Sequence, residues 1–200
     1  MSENILLVQE LLKDYFHKRT SPKCLLKVDI RKAYDSLSWD FLKSVLLGLN
    51  FPPPFVDLLM ECVSTASFSL KLNGRMFCFF KGSCGLRQGD PVSPYLFVLC
   101  MEYFSWLLKN LSTTKDFSYH SKCKPLKLLY LAFADDVILF CRGDVPSVKI
   151  LLKGLDLFSK TVGLKANPLK SQIFIASMPS QARGLILQQV GMTQGTFPFK

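Results

Sequence analysis

The chain has 200 residues, enough for one domain or most of one, and its 49% hydrophobic content excludes global disorder. It carries 25 Lys and Arg against 15 Asp and Glu, a net charge of +10. Such a balance leaves the fold open but favours a polyanionic partner, nucleic acid before an acidic membrane surface. A basic protein with no such partner is the alternative.

In chain order, Ile5, Leu6, Val8, Leu11, Leu12 and Tyr15 fit an amphipathic helix, with Ser2 as its N-cap. "CLLKVDI" (Cys24 to Ile30) reads as a short buried strand ending at an aspartate. Ser38 caps a helix through about Leu47, "NFPPPF" stops it, and a proline opens the next helix. "SFSLKLNGRMFCFF" (Ser67 to Phe80) predicts a hairpin turning at Asn73-Gly74. Ser93 and Pro94 open a helix to about Lys109, with Ser93 as cap. Apolar residues cover nearly its whole circumference, which predicts deep burial.

Two strands follow, Lys127 to Ala134 and Val137 to Arg142, then a helix from about Pro146 to Val162 stopped by Gly163. "SQIFIA" (Ser171 to Ala176) is another strand, and a last amphipathic helix covers about Ser180 to Val190. Strands, hairpins and helices in mixed order predict an α+β fold with a mainly antiparallel sheet.

Seven scattered cysteines form no CxxC, and His17 and His120 have no ligand-like spacing to them, so no zinc site is expected. Their odd count and apolar surroundings predict buried free thiols in a reducing compartment. The N-terminus lacks a basic region and carries Glu3 and Glu10, unlike a signal peptide. The run Tyr95 to Met101 ends at Glu102, short of the roughly 20 residues a bilayer span needs. No membrane association is therefore expected.

Asp135 and Asp136 sit between two apolar runs in "YLAFADDVILF". A solvated turn is one explanation, although two adjacent aspartates repel and supply no glycine. A metal site is the other. Asp29 closes its own strand, where a lone aspartate is ordinarily a strand-end cap. If that strand pairs beside the later hairpin, three carboxylates meet at one sheet edge and call for a divalent cation. Oxygen donors without His or Cys suit Mg²⁺, or Mn²⁺. Two such ions can activate a hydroxyl and steady a leaving oxyanion in phosphoryl transfer.

Four stretches then resemble one family in order and spacing. "KVDIRKAYDSLSWDFL" (Lys27 to Leu42) resembles motif A of reverse transcriptases, with an aromatic five positions after the aspartate. "GLRQGDPVSPYLF" is similar to motif B, "FADD" to motif C and "GLKANPLKSQIF" to motif D. The wording is that of the non-LTR, LINE-type retrotransposon class, particularly plant elements, and runs from about residue 2 to the end.

The resemblance implies a polymerase palm-type antiparallel sheet with helices packed on one face, with incomplete fingers and no thumb. It divides residues 1–200, one partial domain, into a lead-in helix (1–22), a palm core (23–176) and the start of a primer-grip segment (177–200). It implies RNA-directed DNA polymerase activity with an RNA template, a DNA primer, deoxynucleoside triphosphates and two Mg²⁺ ions. Asp29, Asp135 and Asp136, with the Ile30 carbonyl, would hold the metals. Tyr34 would exclude a 2′-hydroxyl, or else be an ordinary core tyrosine. Arg31 and Lys32 would face phosphates or simply be solvated. Gln88 and Gly89 would lie beside the nascent base pair, and Arg87 on a phosphate. Lys170 would protonate the leaving pyrophosphate, or be a surface lysine in a turn. A monomer or part of a polyprotein, resident in the nucleus, is expected. A nucleic-acid-binding remnant without catalysis and an intron-maturase-like RNA-binding protein are the alternatives.

Overall fold

In the computed structural model, the backbone is described for residues 2–13, 15, 21–133 and 136–196, and side chains from Leu6 onward within them. The predicted Ser2 cap, Ala134 and Asp135 lie outside that description, as does the segment from Phe197 to Lys200. The chain forms two compact units. The first takes the described parts of Met1–Arg31, Ser105–Leu157 and Lys165–Lys200; the second takes Lys32–Phe104 and Phe158–Leu164.

The first unit is organised by strand β1 (Lys23–Arg31), whose residues Cys24, Leu25, Leu26 and Val28 are wholly buried. Apolar residues on both sides of a strand require cover on both faces, which makes it central. It pairs antiparallel with β5 (Asp136–Arg142) on one side, and with β6 (Lys165–Ala166) and β7 (Gln172–Ala176) on the other. Outside them lie β4 (Tyr130–Phe133), antiparallel to β5, and β8 (Thr193–Gln194), parallel to β7.

One face of this sheet offers Leu25, Ile138, Phe140, Phe174 and Leu131. They pack with Val8 and Leu11 of helix α1 (Ser2–Leu12) and with Tyr15 and Cys123. The Tyr15 hydroxyl donates to the Phe174 carbonyl at 3.2 Å. Lys122 Nζ donates to the carbonyls of Glu10 and Lys13 at 2.7 and 3.0 Å, a cation at the C-terminal end of α1. The alternate residues Leu26, Val28, Val137, Leu139, Ile173 and Ile175 fill the opposite face, and all are buried.

His120 lies in the first core, stacked on Tyr15 with centroids 6.2 Å apart and edge-on to Phe140. Its Nδ1 accepts from the Lys122 amide at 3.3 Å. Burial, with Lys23 and Lys122 adding repulsion, lowers its pKa to about 4, so the ring is neutral near pH 7. Burial likewise pushes the Cys100 and Cys123 thiols up to about 12. Of the seven cysteines, Cys24, Cys100, Cys123 and Cys141 are buried, while Cys62, Cys78 and Cys84 are exposed.

The second unit begins with a four-residue helix that the sequence did not announce, α2 (Ala33–Ser36), entered through Lys32 at φ 48°. Helices α3 (Trp39–Gly48) and α4 (Pro53–Ser64) follow. Ser38 caps α3 by accepting from the Phe41 amide at 3.3 Å, as predicted, and proline opens α4. The hairpin of β2 (Ser67–Leu72) and β3 (Arg75–Lys81) turns at Asn73-Gly74, with φ of 47° and 82°. A register shift between Ser69 and Leu70 accompanies Cys78 at φ 50°.

Helix α5 (Ser93–Leu111) starts in this unit and ends in the first; α6 (Val145–Val162) does the reverse. Phe104 of α5 meets Phe158 of α6 with ring centroids 4.6 Å apart. Two expectations for α5 are corrected. Its first bond runs from the Leu96 amide to the Val92 carbonyl, so Val92 holds the cap position and Ser93 is already helical. It is also not buried all round: Tyr95, Val98 and Trp106 are 74%, 66% and 58% exposed. Apolar composition around a helix does not tell which stripe finds a partner.

The strand predicted from Lys127 begins instead at Tyr130, because Lys127 sits in a turn at φ 48°. Gly163 stops α6 at φ 84°, as predicted. Helix α7 (Ser180–Val190) ends at Gly191, φ 62°. No described helix is long and apolar enough to cross a membrane.

Candidate metal and nucleotide site

The register places Asp29 directly opposite Asp136. The backbone bonds establish what kind of pair this is. On β5 the Phe140 amide donates to Leu129 and the Arg142 amide to Ser118, so even-numbered residues there turn their main chain away from β1. On β1 the Asp29 amide donates to Ser171 Oγ at 3.2 Å, and its carbonyl accepts from the Asn167 amide at 2.8 Å. Both turn away from β5. Asp29 and Asp136 therefore form a non-hydrogen-bonded antiparallel pair, the kind that brings side chains closest, on one face of the sheet.

Two like charges directly opposite each other are destabilising. The ladder nonetheless holds them there, with a cation close by. Lys27 is two residues before Asp29 on the same face, and its Nζ lies 3.7 Å from Asp136 Oδ2. Ile30 is buried by its side chain and pairs with Ala166. By the same alternation its carbonyl points in the sheet plane toward the β5 side, past the last pair of that ladder.

Ser171 is wholly buried, and its amide donates to the Asn167 carbonyl at 2.9 Å, closing the turn that grips Asp29. Lys170, exposed, is the residue just before it. Arg31 is exposed at the end of β1, opposite Lys165. Asp135 lies outside the described residues. Sequence reasoning missed Lys27, Asn167 and Ser171. The alternation of β1 could have put Lys27 on the carboxylate face, but nothing local announces a contact between residues 29 and 171.

In the second unit, the glycine-bearing loop after β3 is locked to α2. The Leu86 amide donates to the Tyr34 carbonyl at 2.6 Å and the Gly85 amide to the Leu37 carbonyl at 2.7 Å. Trp39 Nε1 donates to the Gly85 carbonyl at 2.7 Å. Gly85 has φ +88°, and a Cβ there would stand 2.7 Å from the Asp35 carbonyl oxygen, so only glycine fits. Tyr34 stacks on Phe97 with centroids 5.2 Å apart and planes 21° from parallel. Gln88 Nε2 donates to Asp35 Oδ1 at 3.3 Å, and Arg87, Gln88 and Gly89 are exposed. A cleft of about 520 Å³ is lined by Asp35, Trp39, Phe68, Phe80, Arg87 and Gln88 among others. Gly89 takes φ +87° in open space, so its glycine serves the backbone rather than packing. Lys32 is exposed and accepts from the Asp35 and Ser36 amides through its carbonyl.

The donors of the first unit suit a hard divalent ion: two opposed carboxylates and a carbonyl directed to the same edge, with oxygen as the only ligand atom. Among the described residues, no third His, Cys, Asp or Glu joins them into a cluster of three.

A sheet centred on antiparallel pairs, helices around it and an opposed aspartate pair on one face define an α+β, palm-like class. Residues 2–195 match the family model "Reverse transcriptase (RNA-dependent DNA polymerase)", and the chain belongs to that family. It is 32% identical over 166 residues, 83% of its length, to the Pol polyprotein of the type-2 retrotransposable element R2DM of Drosophila melanogaster. It is 31% identical over 144 residues, 72% of its length, to the transposon TX1 149 kDa protein of Xenopus laevis. The chain spans 15% and 11% of the lengths of these two relatives. In fold it is similar to apo telomerase from Candida tropicalis, with a TM-score of 0.63 at 18% identity, over 89% of this chain and 35% of that one. These relatives agree with the LINE-type resemblance carried by the sequence motifs.

Proposed function

We propose that the chain is the palm-bearing part of an RNA-directed DNA polymerase that joins deoxynucleotides to a primer 3′-hydroxyl on an RNA template. The observation that carries this reading is the opposed Asp29–Asp136 pair in a chain of the reverse transcriptase family. Asp29 and Asp136, with Asp135 and the Ile30 carbonyl, would hold two Mg²⁺ ions, for which Mn²⁺ can substitute. Bound there, such ions acidify an attacking hydroxyl and neutralise a triphosphate.

The chain's own residues do the rest. Ser171 and Asn167 fix the main chain of Asp29, so its carboxylate departs from a rigid strand. Tyr34, backed by Phe97, presents a braced ring that would exclude a 2′-hydroxyl by bulk. Gln88, tethered to Asp35, would border the nascent base pair, and the positive φ of Gly89 shapes that loop. Arg31, Lys32 and Arg87 are exposed cations available to phosphates. Lys170, exposed beside the turn that grips Asp29, would give a proton to the leaving pyrophosphate oxygen. We assign residues 1–22, 23–176 and 177–200 to a lead-in helix, the palm core and the start of a primer grip. The chain would work in the nucleus, as a monomer or within a larger polyprotein.

Primer extension on an RNA template with magnesium tests the proposal, comparing the wild-type chain with Asp29→Asn and Asp136→Asn. Lengthening of the primer by the wild type alone supports it. Lengthening that survives both substitutions overturns the site.

A further inference from the structure

Lys27 is the cation already present beside the carboxylates. We propose that it is a resident counter-charge: it holds Asp136 against the repulsion of Asp29 when no divalent ion is bound, and gives Asp136 up when one binds. This rests on the metal-site reading given above.

Its placement is built in. Lys27 lies in the central strand, its backbone held between Ile138 and Gln172 by register, so its stem always departs from the same place beside the aspartates. Alternation puts it on the same face as Asp29, and diagonal to Asp136 across the ladder. Its side chain is 22% exposed against 39% for Asp136, so the stem is largely packed while the carboxylate opens to solvent. The Nζ–Oδ2 distance of 3.7 Å is that of an ion pair, too long for a hydrogen bond. Such a contact relieves charge without locking the oxygens, which leaves them able to turn to a metal.

The electrostatic consequence has a definite sign. A positive charge at this distance repels an incoming divalent cation and also occupies one of its ligands. Lys27 therefore lowers metal affinity while stabilising the metal-free protein. It acts as a positioning residue through Asp136, with no contact to a substrate invoked.

The test is Mn²⁺ binding to the full chain, followed by the electron paramagnetic resonance of free Mn²⁺ at fixed ionic strength. Lys27→Met keeps the apolar stem and removes the charge. It is expected to bind Mn²⁺ about 1.5- to fivefold more tightly, the range of a partly exposed ion pair. Lys27→Arg should stay near wild type. Damage to the fold would loosen binding, so tightening separates this role from a purely structural one. Lys27→Gln makes the same measurement should Lys27→Met fold poorly. Affinity unchanged or weakened in the neutral variants, at a site abolished by Asp136→Asn, overturns the role of Lys27 alone. Absence of any Mn²⁺ site sensitive to Asp136→Asn overturns both this proposal and the metal-site reading.

Discussion

Asp29 and Asp136 face each other across the β1–β5 ladder at a position where each turns its main chain away from the other strand. The register therefore sets two acidic residues directly opposite each other, an arrangement in which like charges work against the fold. Removing one of them should stabilise the metal-free protein. Asp29→Asn is expected to gain about 0.2–1 kcal/mol, up to about 4 °C, in thermal melts with a chelator present. The same variant should lose the stabilisation that magnesium gives the wild type. Asp136→Asn removes the Lys27 pair together with the repulsion, so its metal-free stability should stay closer to the wild type.

Tyr34 is braced by Phe97, and the sugar-selection role proposed for it would draw on that brace. Tyr34→Val should admit ribonucleotides, reducing discrimination in extension assays by about tenfold or more. Phe97→Ala should move selectivity in the same direction with Tyr34 intact, because a ring free to tilt excludes less. Tyr34→Phe should select as the wild type does.

His120 gives the first unit a pH dependence of known sign. Its pKa is about 4 when folded and about 6.5 when unfolded, so between those values the unfolded chain binds more protons. The stability that neutral His120 contributes is complete above about pH 6.5 and is lost as pH falls toward 4. The cumulative loss is about 3 kcal/mol. Denaturant melts of the wild type and His120→Phe across pH 4–7 should show a shallower slope in the variant.

Gly85 and Gly89 separate two uses of glycine four residues apart. Both have positive φ, but a Cβ on Gly85 meets the Asp35 and Tyr34 carbonyls, whereas one on Gly89 meets nothing within 4 Å. Gly85→Ala should cost about 2–4 kcal/mol, and Gly89→Ala about 1–2 kcal/mol. Chemical denaturation distinguishes them.

The parts of this fold legible in the sequence are those set by neighbours in the chain. The apolar run of β1, the Asn73-Gly74 turn, the Ser38 cap and the stop at Gly163 all follow from local chemistry. What escaped was set from a distance. Helix α2 has four residues and no cap of its own; carbonyls of Tyr34 and Leu37 are engaged by Leu86 and Gly85, some fifty positions away in the chain. Strands β6 and β8 have two residues each and exist because a sheet edge is there to pair with. Lys27 carries no local signal of its contact; the register places it diagonal to Asp136. Asp29 and Asp136 were named as partners from chemistry, and the sheet supplies their opposition.

Anomalous diffraction from crystals of the chain grown with Mn²⁺ is the most direct measurement of the central claim. A manganese peak is expected between the Asp29 and Asp136 carboxylates, with an oxygen of each about 2.0–2.3 Å away. Manganese bound elsewhere, with no metal between these two side chains, would contradict it.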